Sequence, residues 1–350
     1  MSTHFQRLPS APAAAALAAR VAACVVALAV GASIASLAGL SPIDLAVEVV
    51  SSVLGTRFGL EDLGLLITPL ILTGLSVMIM RRMGLWNIGA EGQFYAGAIG
   101  AAAIGLFVEG PPMLMLFSMF VAGTLCGMAW IALPALARAY AGVNELITTL
   151  LLNFVALQLV YYLGTGPWRD RGAGTLGSTP RIAYEVPEFW GIVHWGLPLA
   201  IALTTATAAV LKYSRWGYEV RISGANPDNA LYAGIPVRRR ILQVMFAAGA
   251  VAGIAGMLEV AGTVHRLQGG ISNNFGYLGI IVAVLAGSSC LGLLATAAMI
   301  AFILSAGIVL QTQGVTTAAI VALTGLILLC NAVGHELAHY RLRRSSTGAA

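Results

Sequence analysis

The chain has 350 residues, of which 59% are hydrophobic and 9% charged, with a formal net charge of +5 and a mean hydropathy of +0.87. Soluble domains carry about 25% charged residues, so a water-soluble fold of this length could not clothe its surface, and the composition specifies an integral membrane protein. The apolar runs are continuous rather than alternating, which excludes a barrel and leaves helices, because every backbone polar group in lipid must be satisfied within its own segment.

A spanning helix needs roughly 20 apolar residues. About ten such segments are predicted, near 17–40, 63–80, 87–108, 113–137, 145–163, 192–211, 241–263, 276–290, 292–311 and 316–334. The eighth is short enough to be tilted, broken or re-entrant. The first, with its apolar run from Val21 to Leu40, is long for the core of a cleaved signal peptide and is read as a retained span. With the N-terminus in the cytoplasm, fourteen of the nineteen basic residues fall in inside loops. Only Arg57, Arg169, Arg171, Arg181 and Arg266 fall outside, as the positive-inside rule requires. Acids run the other way, with Asp44, Glu48, Glu61, Asp62, Glu109, Asp170, Glu185 and Glu188 outside. The net positive charge therefore reflects topology, and no basic surface for nucleic acid is predicted. Residues 1–62 hold a cytoplasmic segment, the first span and an external loop; 63–335 form the core; 336–350 form a basic tail, with both termini cytoplasmic.

Charged groups inside a span are costly and face the protein interior or water. Glu91 and Glu259 are the clear cases. Asn87 and Glu91 stand four residues apart, the spacing of one helix face, and Gln93 points elsewhere. Glycines 84, 89, 92, 97 and 100 crowd the same segment, which allows close helix approach or a break. These polar groups either line a translocation path or join packed helices. Glu259 follows Gly249, Gly253 and Gly256, where close packing is expected. In the fifth span, GVNELITTLLLNF, Asn144 is a helix cap with Glu145 in the first turn, while Thr148, Thr149 and Asn153 enter the membrane. The external segment 164–191 is rich in Gly, Pro and Trp and reads as an irregular cap or a plain connector. Cys24, Cys126, Cys290 and Cys330 lie in apolar segments without metal or redox spacing and read as small hydrophobes.

The longest water-compatible stretch, 212–240, contains a miniature helix with its own punctuation. Asn226 suits the N-cap, Pro227 the first helical position and Asp228 the positive end of the dipole. Gly234 can take the left-handed conformation that ends a helix. A short helix held out on a basic loop is a part that another protein can grip. Near the C-terminus His335, Glu336 and His339 spell HELAH, which on a helix can bind zinc. It lies beside a basic tail, and no acidic residue or histidine follows to complete a ligand set. No metal site, catalytic residue or phosphate-cradling GxxxxGK[ST] loop is predicted.

The motifs NIGAEGQFYAGA (87–98), GVNELITTLLLNF (142–154), GPWRD (166–170) and GANPDNALYAGI (224–235) together resemble the membrane subunits of bacterial ABC importers. More narrowly they resemble the nucleoside and simple-sugar permeases of the ribose and branched-chain amino-acid permease family, over residues 63–335. The resemblance implies an all-α polytopic fold of the type II importer kind, with spans two to five and seven to ten as inverted repeats. It implies a second permease chain, forming a homo- or heterodimer, ATP-binding-cassette ATPase subunits that carry ATP and Mg, and an external solute-binding lipoprotein, in a bacterial inner membrane. Residues 226–233 match the coupling helix that seats in the ATPase, so Asn226, Pro227, Asp228, Ala230, Tyr232, Ala233 and Gly234 are assigned to coupling. Asn87, Glu91, Gln93, Asn144 and Asn153 are assigned to the translocation path of a nucleoside or sugar. The alternatives are an ion-coupled secondary transporter using Glu91 and Glu259 as proton carriers, and an intramembrane zinc protease built on HELAH.

Overall fold

Long apolar runs can satisfy their amides in hydrocarbon only by coiling, and most of the described residues do so. The computed structural model describes residues 3–7, 22, 25–26, 29–30, 32–33, 36, 41–172, 177–287, 289–337 and 340–344. Its helices are α1 (Pro42–Leu54), α2 (Arg57–Arg81), α3 (Ala90–Phe107), α4 (Pro112–Ala141), α5 (Glu145–Thr165) and α6 (Gly196–Tyr213). They continue with α7 (Arg215–Ala225), α8 (Pro227–Tyr232), α9 (Val237–Leu258), α10 (Phe275–Ala286), α11 (Cys290–Thr312) and α12 (Thr317–Leu337). A π-helical turn, Glu259–Val264, prolongs α9.

Six helices among the described residues are long and apolar enough to cross a membrane: α2, α4, α5, α6, α9 with its π turn, and α11. Three other predicted spans correspond to α3, to the short α10 and to α12, in which Ala318–Gly334 is an apolar stretch of intermediate length. Most of 17–40, the predicted first span, lies outside the described residues, as does Cys24. The free thiols Cys126, Cys290 and Cys330 sit half-buried on helices, as small hydrophobes do.

Glu61–Ala301 form one compact unit. Its centre is the packing of α3, α4 and α9, where backbones meet without intervening side chains. Gly97 on α3 lies against the backbone of Gly253, and Gly127 on α4 against Gly249 and Gly253. Gly256 faces the carbonyl of Phe94 so closely that a Cβ would overlap it. The small-residue spacing 249–253–256 is therefore a packing device, as expected of membrane helices. Segment 164–191 is laced to the end of α9: the amides of Thr179, Ile182 and Val186 donate to the carbonyls of Leu267, His265 and Ala261 at 3.0, 2.8 and 2.8 Å. These bonds tie residues 179–186 to the chain that follows α9, so this part is not a free connector.

Met1–Leu60 and Phe302–Ala350 form the second unit. Here the expected external loop after the first span is instead the helix α1. Ser41 caps it by accepting from the Asp44 amide, with Pro42 and Asp44 in the first turn. Ile43, Val47, Val50 and Leu54, spaced as one stripe, are exposed, the pattern of a helix lying in a membrane interface. The all-α expectation also needs correction at the margins. In this unit β1 (Thr3–Arg7) pairs antiparallel with β4 (Tyr340–Arg344), Thr3 opposite Arg344. In the larger unit β2 (Glu188–Trp190) pairs with β3 (Val193–His194). Short extended segments satisfy their amides by pairing where no helix is available.

A valine at Gly253 should force α3, α4 and α9 apart. Overpacking of this kind costs about 1–3 kcal/mol, so Gly253→Val should lower the melting temperature of the purified protein in detergent by several degrees, while Gly325→Ala, at an open helical position with no positive φ, should not lower it.

Candidate functional site

Four of the five predicted path residues, Asn87, Glu91, Gln93 and Asn153, converge on one place, the first turn of α3. After α2 ends at Arg81, Gly84 turns the chain with φ +69°, and residues 82–89 fold back along α2 rather than leaving it. Asn87 donates to Ser76 Oγ at 2.8 Å, and Ser76 donates to the Ala248 carbonyl of α9 at 2.8 Å. Ser76 stands about 7 Å back along α2 from its end, at 1.5 Å per residue. The N-terminus of α3 is therefore sunk inside the protein, where its free amides cannot reach water.

Asn153 of α5 supplies a partner. Its Oδ1 accepts from the Gly92 amide at 2.9 Å, and its Nδ2 donates to the Ile88 carbonyl at 2.8 Å and to Tyr277 Oη at 3.2 Å. Glu91 performs the same service for a second helix. One of its carboxylate oxygens accepts from the Gly276 amide at 2.9 Å, and the other from Ser272 Oγ. Gly276 lies in the first turn of α10, so a carboxylate from α3 sits at the N-terminus of α10, where the helix dipole favours it. The short α10 follows a non-helical stretch, 265–274, in which His265, Asn273 and Asn274 have φ of 59°, 43° and 62°. The eighth predicted segment is thus a short helix of 12 residues.

One expectation fails here. Asn87 does not share a face with Glu91, because α3 begins only at Ala90 and helical spacing does not extend across the turn. Asn87 pairs instead with Gln93: Nδ2 donates to Gln93 Oε1 and Gln93 Nε2 returns a bond to Asn87 Oδ1, both at 2.8 Å. Asn87, Glu91, Gln93 and Asn153 are all buried and hydrogen-bonded. Asn144 stands apart as the exposed N-cap of α5, accepting from the Leu146 amide at 2.9 Å. Glu145 beside it accepts from the Trp86 amide at 3.3 Å and pairs with Arg138 at 3.3 Å, which ties the 82–89 turn to α4 and α5. Ser76, Ser272 and Tyr277 complete this network and carried no local signal in the sequence.

The basic loop is equally ordered. Asn226 Oδ1 accepts from the amides of Asp228 and Asn229, both at 3.0 Å, Pro227 opens α8, and Gly234 follows it with φ +75°. Leu231 and Tyr232 are 58% and 92% exposed, while Ala230 is fully buried. Ala230 therefore faces its own chain, and the exposed side of α8 is carried by Leu231 and Tyr232. Helix α7, within the stretch expected to be loop, holds α8 in place. Its Glu219 pairs with Arg240 at 2.5 Å and Arg215 at 3.1 Å, and Arg240 and Trp216 both donate to Gln243 Oε1, at 2.5 and 2.9 Å. The Arg240 guanidinium, and after it Arg215, holds the Glu219 carboxyl below the usual carboxylate range. At the far end of α7, Gly224 packs directly on the backbone of Arg82 and Met83. The loop is thus seated on the turn that leads to the sunken end of α3.

At the opposite end of α9, the buried Glu259 accepts from Thr263 at 3.5 Å, and Thr263 Oγ1 lies 3.4 Å from His194 Nε2. The Gly196 amide donates to His194 Nδ1 at 3.0 Å. Burial, and secondly the neighbouring His265, push the His194 pKa down to about 4. Among the described residues no group of three or more His, Cys, Asp or Glu could hold a metal ion. Of the HELAH residues, His335 and Glu336 lie on α12, and His339 lies outside the described residues.

Comparison with known proteins follows the same lines. The family model described as the permease component of branched-chain amino acid transport systems matches residues 59–332. The glucose ABC transporter permease protein TsgB13 of Haloferax volcanii is 32% identical over 330 residues, covering 90% of this chain and 87% of that one. The guanosine ABC transporter permease protein NupP of Bacillus subtilis is 29% identical over 279 residues, covering 78% and 80%. A second protein of Haloferax volcanii, the putative glucose ABC transporter permease TsgC13, is 29% identical over 203 residues, covering 54% and 58%.

Two outcomes follow. Asn153→Leu leaves the Gly92 amide and the Ile88 carbonyl unanswered, at a cost of about 3 kcal/mol, and should lower the melting temperature, whereas Asn153→Asp, which still accepts from Gly92, should lower it less. For His194, unfolding exposes the ring and restores its ordinary pKa near 6.5, so the unfolded chain binds the proton first as pH falls. The contribution of the neutral ring is complete above pH 6.5 and is lost as pH drops to about 4, on the order of 3 kcal/mol. Melting curves between pH 7 and 4 should fall more steeply for the native chain than for His194→Asn.

Proposed function

The chain belongs to the family of permease components of branched-chain amino acid transport systems, and from that premise we propose that it forms the translocation path of an ATP-driven importer for a nucleoside or a simple sugar. The glucose and guanosine permeases to which it is similar support that solute class. ATP and Mg would be handled by separate ATPase subunits gripping α8, and an external solute-binding lipoprotein would deliver cargo. A related but distinct second permease would complete the path; two permeases of one archaeon, TsgB13 and TsgC13, each matching this chain, support a pair of unlike subunits.

On this reading ten spans cross a bacterial inner membrane: residues 17–40, then α2, α3, α4, α5, α6, α9, α10, α11 and α12. The basic loop 212–240 and both termini face the cytoplasm, which the charge distribution and the β1–β4 pairing of the two chain ends support. Two spans, α3 and α10, start below the membrane surface after a non-helical stretch. They occupy equivalent places in the two proposed repeats, run in opposite directions and meet through Glu91 and Gly276. Discontinuous helices paired across an inverted repeat are the usual place for a transport pathway.

The observation that carries the reading is the mechanical continuity of the loop. Helix α8 exposes Leu231 and Tyr232, α7 anchors it through Glu219 and Arg240, and Gly224 of α7 rests on Arg82–Met83 at the foot of the sunken helix. A displacement of α8 by a closing ATPase pair would reach the turn before α3 with only packed contacts between. The solute would be moved and not chemically changed.

Replacing the exposed pair, Leu231→Asp with Tyr232→Ala, should reduce ATP-driven uptake at least tenfold while leaving the melting temperature of the permease unchanged. Ala230→Glu should instead disturb the loop itself and lower that temperature. Uptake of labelled solute into vesicles, read beside the melting curves, checks both; full uptake by the double variant would contradict the assignment of α8.

A further inference from the structure

Membrane depth makes exposed polar groups informative. The outward stripe of α4, with Met113, Phe117, Val121, Leu125 and Leu136 exposed, is apolar, and its hydroxyls Ser118 and Thr124 bond back to the carbonyls of Leu114 and Phe120 at 2.8 and 2.7 Å. That face suits lipid. Helix α5 differs. Its inner side holds Thr149, Asn153, Ala156 and Val160, but Phe154, Gln158, Tyr161 and Thr165 form an outward stripe at helical spacing. Gln158 lies about 20 Å along α5 from its start, at 1.5 Å per residue, inside a membrane-crossing segment. Its amide is exposed and makes no hydrogen bond among the described residues. Hydrocarbon cannot answer a primary amide, which has two donors and an acceptor to satisfy.

The same surface continues into the stretch before α10. Tyr161 packs on Gly269, and Asn153 bonds Tyr277, so the α5 stripe borders the non-helical stretch 265–274. There Asn273 and Asn274 are exposed, at positive φ, with side-chain amides that likewise have no hydrogen-bond partner among the described residues. Irregular backbone at membrane depth is tolerated where it is buried in protein or lines a water-filled cavity. A shallow, open and almost wholly apolar surface bordered by Phe154, Val155, Gln158, Leu159 and Tyr162 runs along the stripe. Past Glu145 at its foot, α5 carries no charged residue, and neither does 269–275.

We propose that Gln158, Asn273 and the aromatic groups beside them form a solute-contact surface for a neutral, hydroxyl-bearing ring such as a nucleoside or a hexose. Ring faces of Phe154 and Tyr162 take the flat or apolar side of the solute, and the amides exchange bonds with its hydroxyls. Along α5 beyond Glu145 and along 269–275 no charged side chain stands ready to pair with a solute carboxylate, ammonium or phosphate, so these segments suit a neutral solute. This inference rests on the permease reading above and assigns residues to its solute path.

The test uses cells carrying the full-length chain with its natural partners. Gln158→Leu should raise the half-saturating concentration for labelled guanosine or glucose, whichever the native system takes up, about tenfold, and Asn273→Gly, which keeps the positive φ, should do the same. The yield of assembled complex should not change. Independently of transport, Gln158→Cys should react with a membrane-impermeant cationic methanethiosulfonate, and added solute should slow the reaction. Unaltered uptake kinetics in both variants, a cysteine modified only by lipid-soluble reagents, loss of assembly in Gln158→Leu, or preference for a charged amino acid over both neutral solutes would each overturn the proposal. Cells in which the native chain supports no ATP-dependent uptake at all would sink the permease reading, while the cysteine reaction would still decide whether this face meets water.

Discussion

Free amides at a helix start are tolerable in water and untenable in hydrocarbon, and most of the central architecture follows from answering them. Two helices of this chain begin with first-turn amides that are answered by side chains of other elements. The first turn of α3 is answered by Asn153 from α5, and the first turn of α10 by Glu91 from α3. Each answer comes from a neighbouring element, so the two helix starts depend on each other and on α5. The glycine contacts among α3, α4 and α9 hold the same elements at backbone distance. Close packing fixes where the helices stand, and the polar caps fix where they begin.

That arrangement explains why the basic loop can matter at a distance. Helix α8 is too short to be stable alone and owes its position to the Asn226 cap, the buried Ala230 and the Glu219–Arg240 clamp. The clamp holds α7, and α7 rests on the backbone of residues 82–83. From there the chain passes through Asn87 directly into α3. A push on α8 has a path of hard contacts into the helix that caps α10, with no flexible linker to absorb it. Packed elements of this kind switch between discrete arrangements rather than deform smoothly, which is what alternating access requires.

Much of this was legible in the sequence where the cause is local. Composition alone required membrane helices. The N-cap at Asn226, the proline after it and the glycine at 234 act within one turn, and the structure shows each in that role. Asn144 capping α5 is the same kind of signal. What could not be read depends on elements far apart in the chain. The Asn87–Gln93 pair was hidden because helical spacing was applied across a turn that ends before Ala90. Asn153 looked like any buried amide until residues 88, 92 and 277 were brought to it. Helix α1 has its start spelled in Ser41, Pro42 and Asp44, but its apolar stripe remains exposed and hydropathy alone reads it as part of a loop.

The central claim is that α8 is the part of the chain through which an ATP-hydrolysing partner acts. Photocrosslinking from position 232 in living cells tests it most directly. A crosslinking residue placed there should yield one dominant adduct, with a cytoplasmic nucleotide-hydrolysing subunit, and the adduct should change in yield when ATP is depleted. An adduct with an external protein, or only lipid and no protein, would contradict the account.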